Sequence, residues 1–111
     1  MNKQDERIIR IAELEIDSTQ LAEYRTLLTE EIEASIAMEP GVLMLHAVAE
    51  RERPERIRIL EAYANRQDYE AHIRTSHFLK YKEGTAEMVK ALRLVDVDPI
   101  ALCAKTSHEL G

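Results

Sequence analysis

Two of the chain's four histidines, three of its four tyrosines and its single phenylalanine fall between Arg56 and Tyr81. Imidazole takes or gives a proton near neutral pH. His72 and His77 are therefore the candidates for proton transfer. Tyr63 and Tyr24 offer apolar rings with a hydroxyl, Phe78 offers a flat apolar wall, and Asn65 offers an amide donor to a substrate oxygen. His46 is a polar intrusion in the apolar run V-L-M-L-H-A-V-A at residues 42–49. Each has a plainer reading. A buried histidine is more often a hydrogen-bonded core residue than a catalyst, a helix-surface histidine is usually only solvated, and a tyrosine is usually a core-edge residue. What favours a site is convergence, which depends on the elements that carry these residues.

Arg7–Ile16 alternates as a strand, with Ile8, Arg10, Ala12, Leu14 and Ile16 on one face. Asp17-Ser18 caps a helix from about Thr19 to Met38, with Gln20 in capping-box position. Leu21, Tyr24, Leu28, Ile32 and Ile36 form its apolar side, and Glu30, Glu31 and Glu33 are expected outside. Pro40-Gly41 stops the helix. Val42–Ala49 reads as a strand covered on both faces. A turn at Arg53-Pro54 leads to a third strand, Ile57–Ala64, with Ile57, Ile59, Glu61 and Tyr63 on one face. A short helix over Arg66–Ile73 follows. Thr75 or Ser76 caps another from about His77 to Ala91, weakened by Gly84. Leu92–Ala104 is the expected last strand, with Pro99 at a bulge or edge.

The order βαββαβ, with its second helix broken, predicts one α+β domain over residues 1–111. It is a ferredoxin-like four-stranded antiparallel sheet with the helices on one face. Residues 1–6 and 106–111 are expected to fray, with His108 an exposed bystander. The second strand, the end of the third and the broken helix border one end of the layer, where a small-molecule pocket is expected. The face without helices also needs cover, which two sheets stacked in an obligate homodimer would provide.

Other chemistries find less support. A net charge of -6, with 15 basic against 21 acidic residues, excludes the basic stripe of a nucleic-acid binder. No apolar run approaches the roughly 20 residues of a membrane span, and the start M-N-K-Q-D-E-R has no secretory character. The single cysteine, Cys103, suits a reducing cytoplasm and is expected as a buried thiol. Nothing forms a nucleophile elbow or a glycine-rich phosphate loop. His72 and His77 are five apart, not the four that put two metal ligands on one helical face, although the break at Thr75-Ser76 could reunite them. No metal is expected.

Three segments, E-P-G-V-L at 39–43, E-A-Y-A-N-R-Q-D-Y-E-A-H at 61–72 and S-H-F at 76–78, resemble the antibiotic biosynthesis monooxygenase family. The likeness is strongest to its small bacterial quinol monooxygenases and covers about Ile8 to Leu102. It implies a dimeric α+β barrel and oxidation of a small phenolic or quinol compound by O2 without metal, flavin or haem. By the same resemblance, His72 transfers the proton with His77 as alternate. Tyr63 and Asn65 orient substrate oxygens, His46 is a further polar contact, and Phe78 is a wall. Some members use a pocket tryptophan, and this chain has none. Relatives of the same fold isomerise sugar-derived signalling molecules. A non-catalytic dimeric ligand-binding or stress module is the alternative from another class.

Overall fold

A computed structural model describes residues 5–105. Its elements are β1 (Ile8–Ile16), a 3-10 turn (Ser18–Gln20), α1 (Leu21–Met38), β2 (Val42–Ala49), β3 (Arg56–Tyr63), α2 (Arg66–His72), α3 (Ser76–Thr85) and β4 (Val89–Val97). The strands form one antiparallel sheet in the order β2-β3-β1-β4. This is the ferredoxin-like α+β arrangement that the sequence predicts. The ends expected to fray lie mostly outside the described residues, and His108 lies outside them altogether.

One face of the sheet carries Ala12, Leu14, Ile16, Ile57 and Ile59. These pack with Tyr24 and Leu28 of α1 and with Met88 into the main core. Val42, Leu45 and Tyr63 make a second cluster against Ile32 and Tyr69. Register fixes the other face: Val95, Ile11, Leu60 and His46 stand opposite one another in a row across all four strands.

Local chemistry explains the ends. Asp17 caps the 3-10 turn by accepting from the Thr19 amide and hydroxyl, so α1 begins later, with Gln20 making no side-chain cap. Asn65 caps α2 by accepting from the Asp68 amide at 2.8 Å, and Thr75 caps α3 by accepting from Phe78. Gly41 is required at its turn: a Cβ there would stand 2.3 Å from Cγ of Asp68 in α2.

Three expectations need correction. The last helix stops at Thr85 rather than Ala91, one residue past Gly84. The Met88 carbonyl then accepts from the Asp17 amide and draws the chain into the sheet. β4 correspondingly runs over Val89–Val97 and ends before Pro99, which has no amide to continue the ladder. Cys103, beyond that end, is exposed rather than buried.

Candidate functional site

A cavity of about 150 Å³ lies between the sheet and the helices. Ala12, Leu14, Leu45 and Ile59 give its sheet wall, and Leu28, Ile32 and Ile73 its helix wall. Tyr63, Tyr69, Phe78 and Tyr81 add rings, and Arg10, Glu31, Glu61 and His72 place polar groups among them. The mouth is at β4, where Leu92 and Leu94 line the cavity yet remain 47% and 52% exposed.

His72 ends α2 and is buried in the wall. Tyr63 and Phe78 each hold their ring centroids 5.2 Å from its imidazole. Its Nδ1 lies 3.0 Å from Oε2 of Glu39, and its Nε2 lies 3.4 Å from Oε2 of Glu31. The same Glu39 oxygen is 2.5 Å from Nε2 of His77. Burial works to raise the Glu39 carboxyl, but the bonds from His77 and His72 outweigh it and hold the carboxyl below its ordinary range. An ionised Glu39 has no proton to give, so His72 donates from Nδ1. A neutral imidazole then presents a bare Nε2 towards Glu31.

Glu31 is buried on α1 and accepts from the Ser35 hydroxyl at 2.8 Å. Burial pushes its carboxyl up, against the Ser35 bond and the nearby histidines. Glu61 is raised by burial too, against the Tyr63 hydroxyl, which donates to it at 3.0 Å, and Arg10. Tyr63 itself is pushed upward by burial and by Glu61, which keeps its hydroxyl protonated. Arg10, which lines the cavity, donates from Nη1 to the Tyr69 hydroxyl at 3.0 Å and from Nε to Asp96 at 3.1 Å.

Of the residues expected at a site, His72, Tyr63 and Phe78 line the cavity. His77 stands behind His72, joined through Glu39, because the Thr75 cap starts a new helix and resets the angular spacing. Tyr24 is one layer back, fully buried, with its hydroxyl 2.7 Å from that of Tyr81. Asn65 is outside the cavity, its amide oxygen committed to capping α2. His46 is exposed on the opposite face, since it pairs with Leu60 and not with the inward Ile59 or Glu61.

Further polar and aromatic groups at the site, Tyr69 and Lys82 among them, are additions to that set. Arg10 and Glu61 interrupt the inward rows of β1 and β3, a signal visible in the alternation itself. Glu31 was expected outside with Glu30 and Glu33, but Tyr24, Leu28, Glu31 and Ser35 form the buried stripe of α1 at spacings of four, three and four. Ile36 is half exposed instead. Tyr81 follows its helix, whereas Glu39, in the turn after α1, has no periodic signal.

The antibiotic biosynthesis monooxygenase family model matches residues 7–84. A Bacteroides thetaiotaomicron structure provisionally named an antibiotic biosynthesis monooxygenase is 48% identical, with a TM-score of 0.86, covering 91% of this chain and 96% of its own. A Lactobacillus acidophilus structure provisionally named a monooxygenase is 26% identical with a TM-score of 0.81, over 86% of this chain and 45% of that longer one. A Nitrosomonas europaea structure, 22% identical over 90% of this chain and 96% of its own with a TM-score of 0.80, shares the fold. No curated protein matches the chain. Among the described residues, no helix is long and apolar enough to cross a membrane. With more than half its length matched by one family model, the chain belongs to the antibiotic biosynthesis monooxygenase family.

Proposed function

We propose that the protein is a monooxygenase that uses O2, without flavin or haem, to oxidise a single-ring quinol or phenol. The observation that carries this reading is the placement of His72 in the wall of an apolar aromatic cavity, with Nδ1 3.0 Å from Glu39 and Nε2 directed to Glu31, which also lines the cavity. A cavity near 150 Å³ is the size that accepts one benzene ring.

In this mechanism His72 removes the phenolic proton, and the guanidinium of Arg10 stabilises the resulting oxyanion, joined by the Tyr63 hydroxyl once it turns its proton from Glu61 to the substrate. The electron-rich ring reduces O2, and the two recombine as a ring hydroperoxide. One oxygen stays on the ring carbon and the other leaves as water: a hydroquinone plus O2 gives a hydroxyquinone plus water. Glu31, raised by burial, is placed to pass a proton through His72.

A homodimer is part of this reading. The half-exposed Leu92 and Leu94 leave the mouth open, and Leu43 and Val48 of β2 are 49% and 64% exposed. A second copy stacked on the open sheet face would cover the Val95–Ile11–Leu60–His46 row, giving His46 an interface role. The test is oxygen uptake by metal-stripped protein with substituted hydroquinones. Uptake above autoxidation supports the proposal, whereas ring binding without uptake would make the chain a ligand-binding module.

A further inference from the structure

We infer that Glu39, His72 and His77 form a binding site for a first-row divalent transition-metal ion. Their donor atoms, Oε2, Nδ1 and Nε2, lie within 4.8 Å of one another. They come from three places, the turn after α1, the last residue of α2 and the first turn of α3, and meet at one carboxylate oxygen. Ligand bonds of about 2.0–2.2 Å in tetrahedral geometry set donors roughly 3.3 Å apart. The two carboxylate–imidazole separations, 3.0 and 2.5 Å, are within an ångström of that spacing. His77, the more exposed of the two imidazoles, is the one free to adjust.

The donor set selects the ion. Two imidazoles and one carboxylate, with positions left for water, suit Zn²⁺, Co²⁺ or Ni²⁺, whereas Mg²⁺ and Ca²⁺ prefer oxygen. The surroundings fit as well. A metal-bound histidine usually donates its other ring N–H to a carboxylate, and Glu31, steadied by Ser35, already faces the far nitrogen of His72 at 3.4 Å.

Neither Glu39 nor His77 lines the cavity, so the ion would sit behind the wall and away from the substrate. Its effect there rests on the proposed function. A metal on Nδ1 requires the ring proton at Nε2, the atom directed to Glu31. The ion would therefore occupy the imidazole and switch the base off, making the site inhibitory.

The test begins with metal-free protein and no substrate, so that it is independent of any reaction. Titration with Co²⁺ is expected to give visible absorption bands saturating at one ion per chain, which Zn²⁺ abolishes. His77→Ala and Glu39→Gln, each checked for folding by circular dichroism, should lose more than the roughly 10–100-fold in affinity that a lost supporting hydrogen bond to a ligand costs. His46→Ala should bind as the parent does. Absence of a saturable cobalt band, or equal affinity in both ligand variants, would overturn the site. With binding established, Zn²⁺ should suppress oxygen uptake in the parent and spare any residual uptake in His77→Ala. Undiminished uptake at saturating Zn²⁺ would overturn the inhibitory role alone.

Discussion

Glu39 and His72 are 33 residues apart in sequence, yet Oε2 and Nδ1 stand 3.0 Å apart across the junction of the α1–β2 turn with the end of α2. That bond sets the tautomer of the one histidine in the cavity wall, and with it the direction in which the ring can accept a proton.

Replacing His72 by Gln should therefore lower turnover of a competent quinol by about 10²–10⁴, the usual contribution of a positioned base. Oxygen uptake would be read beside the melting temperature, because the change also leaves Glu31 without its imidazole. Unchanged kcat would withdraw the assignment.

Glu61 makes a pH prediction. Its carboxyl is raised by burial, so the folded chain holds a proton that the unfolded chain has released. That stabilisation is complete below the ordinary carboxyl range and is lost as pH rises through the raised value. Glu31 contributes with the same sign, and Glu39, held low, with the opposite one. Urea midpoints from about pH 4 to 8 should shift progressively in favour of Glu61→Gln over the parent; parallel profiles would contradict the raised carboxyl.

Gly41→Ala would drive a methyl into Cβ and Cγ of Asp68, both within 2.5 Å of the position it would occupy. A loss of about 1–3 kcal/mol is expected from overpacking. Because α2 must yield, KM for the ring substrate should rise as well. A neutral substitution in chemical denaturation would mean that the turn and helix are not in contact.

Asn65 separates capping from catalysis. Asn65→Ala should cost about 0.5–2 kcal/mol, and Asn65→Asp, which keeps the accepting oxygen, should recover most of it. Turnover at a temperature where all three are folded should be alike; a specific loss of kcat in Asn65→Asp would restore a substrate-donor role.

Val48→Asp tests the assembly. Sedimentation should give the parent twice the 12.8 kDa chain mass and the variant one chain mass, since the side chain is already 64% exposed in a single copy. A dimer that survives the change would place the interface elsewhere.

The architecture was legible because alternation and helical spacing report burial directly: β2 appears over the very residues where its apolar run lies, and Tyr63 falls on the face where its alternation places it. Polar residues at inward positions were harder to read. Glu31 looked like one of three exposed acids, yet it lies on the buried stripe, and only contact with His72 and Ser35 shows why a carboxyl is tolerated there. His46 shows the converse. A polar residue in an apolar strand suggests a pocket, but strand register turned it to the other face. The last strand was displaced because apolar residues from Met88 onward fit either period, and long-range pairing with β1 decided between them.

The place of β1 in the sheet has a consequence for synthesis. Of the four strands, the first made becomes an inner strand, and one of its two partners, Val89–Val97, is the last of the four to be made. Until then the nascent chain carries β1 with one ladder edge unpaired, guarded by the irregularity at Glu15/Ile16 and by the charges of Arg10 and Glu13, which later pair with β4 as Arg10–Asp96 and Glu13–Arg93. Those charges would hinder β1 from pairing with its neighbours on the same message before β4 is made.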